Sequence, residues 1–547
     1  MTSYRSSKNH ASAPHGTPGG RSRRGRAALL SLVALVAAVV AVVSGSGISA
    51  SARPASSATA GASPQRGGDL VIARVADSSS MDKTSTFDNE AIWVYQQMFE
   101  TLYVVTPDGK DVKPWLATSY QLSPNKLKYT FHLRKGVTFH NGKKMTSADV
   151  KFSIEDAAAT KAGWGYIDAA IKSIAAPDDY TVVIKMKYPW APLVADLALF
   201  SNGIVPNHYG GVAKAKFYKS PIGTGPFKWD HWAKGSELKL VRNPSYWQAG
   251  KPYLDSVTWT NVTDDNTRIL QLKGGQAQVD EFPPWSSVAS LKKTSGLTMT
   301  LFPSTRTDYL EFNEKIKPFD DPHVRRAISY AIDRKALVKA ILFGNGLPAN
   351  SFMPPQVPYY DPKSPGIQYD MAKAKAEMAK SSVPKGAKLT FEAIGGQLDS
   401  ETIAQVVQAA VKPLGLDVKI IKKDANANFA DWSAAKYPGM TTAYWTMDIA
   451  DPDELVSFSV DPSQGSHSFQ TWYDNKVAAK AAKDAAKQFD PAKRQKLYSL
   501  IQKTAADDAF MGFLYYSPYR YAFTSKLHGF AVYPTGNYHL EDAWLQK

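Results

Sequence analysis

No cysteine occurs anywhere in the 547 residues. Disulfides, thiolate-ligated zinc, thiol catalysis and lipid attachment through a cysteine are therefore all excluded. A chain this long exceeds one compact core, because domains usually run ~100–200 residues. Two or three folding units are expected. Aromatic residues, with 13 Trp and 27 Tyr, are abundant enough to furnish either large cores or binding clefts.

The first 52 residues read as an address. Six basic residues and no acidic ones lie in Met1–Ala52, and an apolar run from Ala27 to Val43 follows Arg26. The run is shorter than the ~20 residues of a comfortable membrane span. Ala50-Ser51-Ala52 fits the small-x-small cleavage pattern of an export signal. The expected layout is a signal peptide over 1–52 and a flexible Ala/Ser/Pro/Gly-rich linker over 53–66. The net charge of +16 drops to +10 without the six leading basic residues, and the remaining lysines are scattered. That pattern is a solvated surface, so nucleic acid is not an expected partner.

From Gly68 onward, periodicity takes over. Leu127–Arg134 alternates as a half-buried strand, with further strands at Tyr180–Met186, Leu238–Val241 and Leu416–Ile421. Asn141-Gly142 marks a tight turn. Thr146 with Asp149 three residues on predicts a capped helix start. Asp321-Pro322 predicts another, followed by Val324, Ala327, Ile328, Ala331 and Ile332 at helical spacing. Helices are also predicted around Met371–Met378 and Ile403–Val411, the latter ended by Gly415. Strands and helices interleave throughout, which indicates an α/β fold.

The chain carries no enzyme motif in the right context. There is no phosphate-binding Gly-Lys loop, nucleophile elbow or His-Glu-x-x-His. Gly344–Ala349 fits a dinucleotide pattern only superficially, since it follows a helix. The acidic group Asp448, Asp451, Asp453, Glu454 is the one place resembling a metal loop or catalytic pair. Asp451-Pro452-Asp453-Glu454 reads instead as an N-cap, a first-turn proline and an acidic first turn. Asp448 has no such structural duty. No catalytic, metal or cofactor site is expected.

The ordered motifs then become informative together. Tyr129–Val137, Phe139-His140-Asn141-Gly142 and Ala148-Asp149-Val150 come first. Gly223-Thr224-Gly225-Pro226-Phe227, Arg242–Trp247, Val324-Arg325-Arg326-Ala327 and Ala331-Ile332-Asp333-Arg334 follow. This series resembles the family 5 extracellular solute-binding proteins, the oligopeptide, dipeptide and nickel type components of ABC importers. The resemblance implies two lobes joined by two crossing strands, near Ser304–Asn313 and Phe510–Ser517. It implies lobe I over 67–307 with an extra subdomain at about 106–200, lobe II over 308–512, and a return to lobe I over 513–547. It implies a peptide or other small-solute ligand closed between the lobes, delivery to permease subunits at the membrane, a monomer, and a location outside the cytoplasm.

Trp445-Thr446-Met447-Asp448 matches the family's W-x-x-D stretch, which makes Asp448 the expected partner of a ligand α-amino group. Trp445 and Tyr515 are expected to line the pocket, with Asn89, in the loop after the first strand, beside them. The chain departs from dipeptide-specific members in one respect. No Arg lies in Gly395–Asp399 to hold a ligand carboxylate. A sugar-binding protein of the same fold and a secreted hydrolase are the competing readings.

Overall fold

A computed structural model describes residues 63–547 apart from 162, 365 and 465–466. The proposed signal peptide and nearly all of the linker lie outside the described residues.

Two large sheets organise the chain. The first has seven strands in the order Leu297–Phe302, Tyr519–Thr524, Val279–Glu281, Asp69–Arg74, Ser256–Asn261, Glu237–Arg242 and Phe227–Ala233. Its centre is parallel: Asp69–Arg74 runs alongside both Ser256–Asn261 and Val279–Glu281. Central strands of this kind are covered on both faces, and Leu70, Ile72, Val257 and Trp259 are accordingly fully buried. The second sheet has six strands in the order Leu347–Pro348, Met511–Tyr516, Arg306–Phe312, Met440–Thr446, Ala387–Ile394 and Leu416–Lys423. Its parallel pair, Ala387–Ile394 with Leu416–Lys423, is bridged by the helix Leu398–Val411, whose Ile403, Val407 and Val411 are buried.

The chain passes between the sheets twice. It leaves the first at Phe302 and enters the second at Arg306; it leaves the second at Tyr516 and re-enters the first at Tyr519. The connectors are therefore only two or three residues long. The second sheet holds the whole of Arg306–Phe312 and Met511–Tyr516, because both pair along their length inside it. The change of sheet thus falls slightly before residue 308 on the way out and after 512 on the way back.

A third, four-stranded sheet is antiparallel: Ala117–Leu122, Lys128–Leu133, Thr181–Met186 and Ile171–Asp178. It carries the helix Ser147–Ala159, which begins as its sequence predicts, with the backbone N–H of Thr146 donating to Asp149 at 2.7 Å. Tyr129, Phe131, Val150, Ile154, Val182 and Ile184 form its separate core.

The Gly-Thr-Gly motif has a packing cause. A Cβ on Gly223 would stand 1.9 Å from the Met98 carbonyl oxygen, and one on Gly225 2.5 Å from that of Gln97. The close approach lets the Thr224 hydroxyl donate to buried Glu100 at 2.7 Å. Trp115, Tyr246 and Trp247 donate to the same carboxyl at 2.7, 2.8 and 3.0 Å. Burial pushes Glu100 up to about 7 even with these donors. Gly223→Ala is expected to lower stability by about 1–3 kcal/mol, the usual cost of overpacking. A denaturant midpoint unchanged from the parent would refute this account of the motif.

Candidate functional site

The strand Met440–Thr446 ends at the seam between cores. Met447 packs into the helical core of the second lobe, with Leu455 and Val456, whereas Ile449 packs into the core beneath the first sheet. Asp448 stands between them, half-buried. Its charge bears on Tyr95 and Tyr519 from the first sheet's side and on Tyr166 from the third-sheet subdomain. A carboxyl here has groups of the first sheet's side and of the subdomain near it, and its side chain still meets solvent.

Glu454 is its neighbour. One Glu454 oxygen accepts the backbone N–H groups of Asp448 at 2.9 Å and Ile449 at 3.3 Å. The other is buried and has no hydrogen-bond donor. Burial raises both carboxyls, and the Asp448 charge raises Glu454 further. Two adjacent carboxyls in a desolvated place cannot both ionise cheaply. No Lys or Arg forms an ion pair with either among the described residues.

The helix after this turn starts one residue later than its sequence suggests. It spans Asp453–Val460 with Pro452 as the N-cap. Asp451 accepts the Asp453 N–H at 3.0 Å and is otherwise committed to a buried bidentate pair with Arg494, at 2.7 and 2.8 Å. Asp451 therefore serves the helix start through the Asp453 N–H and binds Arg494 at the same time.

The other expected site residues are placed differently from one another. Trp445 is half-buried, stacked on Phe458 with centroids 5.5 Å apart, and its buried indole N–H has no acceptor. Tyr515 is only 2% exposed and packs in the core of the second sheet. Asn89 opens the helix Asn89–Tyr95, half-buried, instead of lying in a loop, because Asp88 caps that helix through the Ala91 N–H.

The sequence reading missed two arginines. Arg306, at the entry to the second sheet, pairs with Asp308 at 2.6 Å and lies 3.6 Å from the Tyr444 ring centre. Arg520, from the first sheet, lies 4.3 Å from the Trp285 ring and donates to the Pro283 carbonyl at 2.6 Å. Burial and then the charge of Arg306 lower Arg520 to about 10. It has no carboxylate within ion-pairing distance among the described residues. Asp399, raised by burial, is near both. Neither arginine belongs to a motif; only their positions at the two crossings make them visible.

Among the described residues no group of three side chains could hold a metal ion, and no helix is long and apolar enough to cross a membrane. Comparison with known proteins gives a consistent result. Residues 111–467 match the profile of "Bacterial extracellular solute-binding proteins, family 5 Middle". The chain is 30% identical over 477 residues to the probable D,D-dipeptide-binding periplasmic protein DdpA of Escherichia coli (strain K12), covering 85% of this chain and 92% of that one. It is also 30% identical over 492 residues to the glutathione-binding protein GsiB of the same strain, covering 87% and 94%. Among solved structures, the periplasmic binding protein DppA from Helicobacter pylori, in complex with the peptide STSA, superposes with a TM-score of 0.80 at 28% identity, covering 88% of this chain and 99% of that one. The oligopeptide-binding protein AppA from Bacillus subtilis, in complex with a nonapeptide, gives 0.78 at 28% identity, covering 89% and 100%. The fold is that of the two-lobed periplasmic binding proteins, and the chain belongs to the bacterial extracellular solute-binding proteins of family 5.

Proposed function

We propose that the protein captures a peptide with a free amino terminus outside the cytoplasm and passes it to the permease of an ABC importer. It acts as a monomer, without a cofactor and without catalysing a reaction. The observation that carries this reading is the Asp448 carboxyl. It lies at the seam between the lobes, is raised by burial, and has no cationic partner among the described residues. A ligand ammonium supplies the missing charge, and a buried charge pair of this kind is worth more than its surface equivalent. Arg520, cationic and lacking an anion among the described residues, supports a complementary contact with a ligand carboxylate. Peptide ligands named for DppA and AppA agree with this chemistry. Trp445 lines the ligand space through its exposed part; Asn89 borders it from the first lobe. Tyr515 serves from behind, supporting the strand that bears Arg306 and Asp308.

A neutral oligosaccharide would leave Asp448 unpaired, which disfavours the sugar reading. A thermal-shift series tests the choice. Free tri- and tetrapeptides at concentrations far above their dissociation constants are expected to raise the melting temperature by several degrees, since ligand binding stabilises the folded state. N-acetylated versions and maltotriose are expected to leave it unchanged. A shift from the sugar alone would overturn the proposal. Hydrolysis of peptides that persists through repurification would overturn its non-catalytic part.

A further inference from the structure

A cavity of about 280 Å³ lies beyond the Asp448–Glu454 pair. That is far above the roughly 10–15 Å³ that one water needs. Two distant segments line it, and it is partly open to solvent. One wall is Tyr166, Ile167, Ala169 and Ala170 with Tyr188 and Trp190, from the third-sheet subdomain; the other comes from the helices Asp453–Val460 and Lys476–Lys487. Tyr166 meets Phe458 with ring centroids 4.5 Å apart, and Phe458 stacks on Trp445. Tyr166 and Phe458 of this row also line the cavity, and the Tyr166 hydroxyl feels the charges of Glu454 and Asp448. Glu454 belongs to both: it binds the backbone of Asp448 and also borders the cavity.

The charges around the cavity do not balance locally. Five charged side chains line it: Asp453, Glu454, Asp461, Lys483 and Lys487. Lys483 is engaged by Asp461 at 3.2 Å, and Lys487 lies over the Tyr188 ring at 5.2 Å. Asp453, 7% exposed, receives only the Ser457 hydroxyl, at 3.0 Å. Glu454, 1% exposed, keeps one buried oxygen without a donor. Neither has an ion pair among the described residues. Behind them stands Asp196, also fully buried, accepting from the Trp190 indole at 2.7 Å and made harder to ionise by burial and then by Asp453. Burial likewise raises Asp453 to about 7. The nearby Asp451, although paired with Arg494, raises Asp453 further, more than Arg494 lowers it. The wall thus contains buried acid groups that lack cations, next to a hollow large enough for a side chain.

We propose that this cavity receives the cationic side chain of the ligand's first residue, lysine or arginine, with Asp453 and Glu454 as its partners. The inference rests on the reading of Asp448 as the α-amino anchor. The first side chain is attached one carbon from that amine, so it is the ligand group nearest to Glu454. Tyr166, Tyr188 and Trp190 offer aromatic faces to the aliphatic stem and the charge of such a side chain.

Titration calorimetry with three tripeptides tests this: lysyl-alanyl-alanine, norleucyl-alanyl-alanine and alanyl-lysyl-alanine. Norleucine matches the lysine stem but carries no charge. The lysyl peptide is expected to bind at least ~10-fold more tightly than the other two, a modest fraction of what buried charge pairs reach. Asp453→Asn should bring the lysyl-to-norleucyl ratio close to one. Ala169→Lys, at an exposed position on the opposite wall, should lower the same ratio by placing a cation at the mouth. A melting curve checks that each variant is folded. Equal affinity of the lysyl and norleucyl peptides in the parent sinks the cavity assignment and leaves peptide capture standing. A lysyl preference that survives both substitutions, or is matched by alanyl-lysyl-alanine, also sinks it. If none of the three peptides binds, the α-amino reading fails and this inference fails with it.

Discussion

Asp448→Asn is expected to weaken the binding of peptides with a free α-amino group by ~2–5 kcal/mol, the usual cost of truncating a buried charge pair. The protein should still fold. The change is nearly isosteric, and the backbone N–H of residue 448 that bonds to Glu454 remains. Asparagine also removes the like charge that raises Glu454, which offsets any lost packing. N-acetylated peptides should bind the parent poorly and lose much less on substitution, because they have no ammonium to pair. Calorimetry that finds the variant binding free peptides as well as the parent would remove Asp448 from the site and return the sugar reading to first place.

The second large effect is a dependence on pH with opposite signs for stability and affinity. In the ligand-free protein, burial raises Asp448 and Glu454, and lifts Asp453 and Glu100 to about 7 and Glu281 to about 8. A carboxyl raised above its unfolded value contributes stability that is fully present below the ordinary carboxylate range. That contribution is lost as pH rises through the raised value. The melting temperature of the free protein should therefore fall between pH 5 and pH 8. Binding of an ammonium favours the ionised pair, so affinity should rise over the same interval, by up to ~10-fold per pH unit for each proton released. Above about pH 8 the peptide amine itself loses its proton and affinity should decline. Calorimetry at pH 6 in buffers of different ionisation enthalpy reads the released proton directly. A flat affinity between pH 5 and 8, or proton uptake on binding, would show that the Asp448–Glu454 pair is not what meets the ligand.

Much of the architecture was legible in the chain because the features concerned are local. Period-two alternation marked Lys128–Leu133 and Thr181–Met186 within a residue of their observed ends. Asp321-Pro322 and Thr146 with Asp149 marked helix starts that are observed there. Gly415 was readable as a stop and adopts a left-handed φ of 76°. The same reasoning read Asp451 as a helix-start residue, and it does accept the Asp453 N–H, but its second partner, Arg494, lies where no local pattern could reveal it. It also put Asn89 in a loop, because the short helix it opens is too brief to show a period.

The site divides along the same line. Local patterns in the chain carry the family and the alternating elements, and a W-x-x-D stretch is what puts Asp448 forward as a site candidate. What surrounds that carboxylate depends on tertiary packing. Glu454 read as an ordinary acid in a first helical turn, yet it bonds the backbone of Asp448. Tyr515 read as a pocket aromatic, yet it is packed in a core. Arg306 and Arg520 carried no signal, since each acquires meaning from a crossing between sheets. The cavity joins segments that are separated in the chain by five strands of the first sheet, Phe227–Ala233 to Leu297–Phe302. Periodicity reports which side of its own element a residue faces. It cannot report which remote element will face it, because that depends on how whole sheets pack, and charge balance in a cleft is settled at that level.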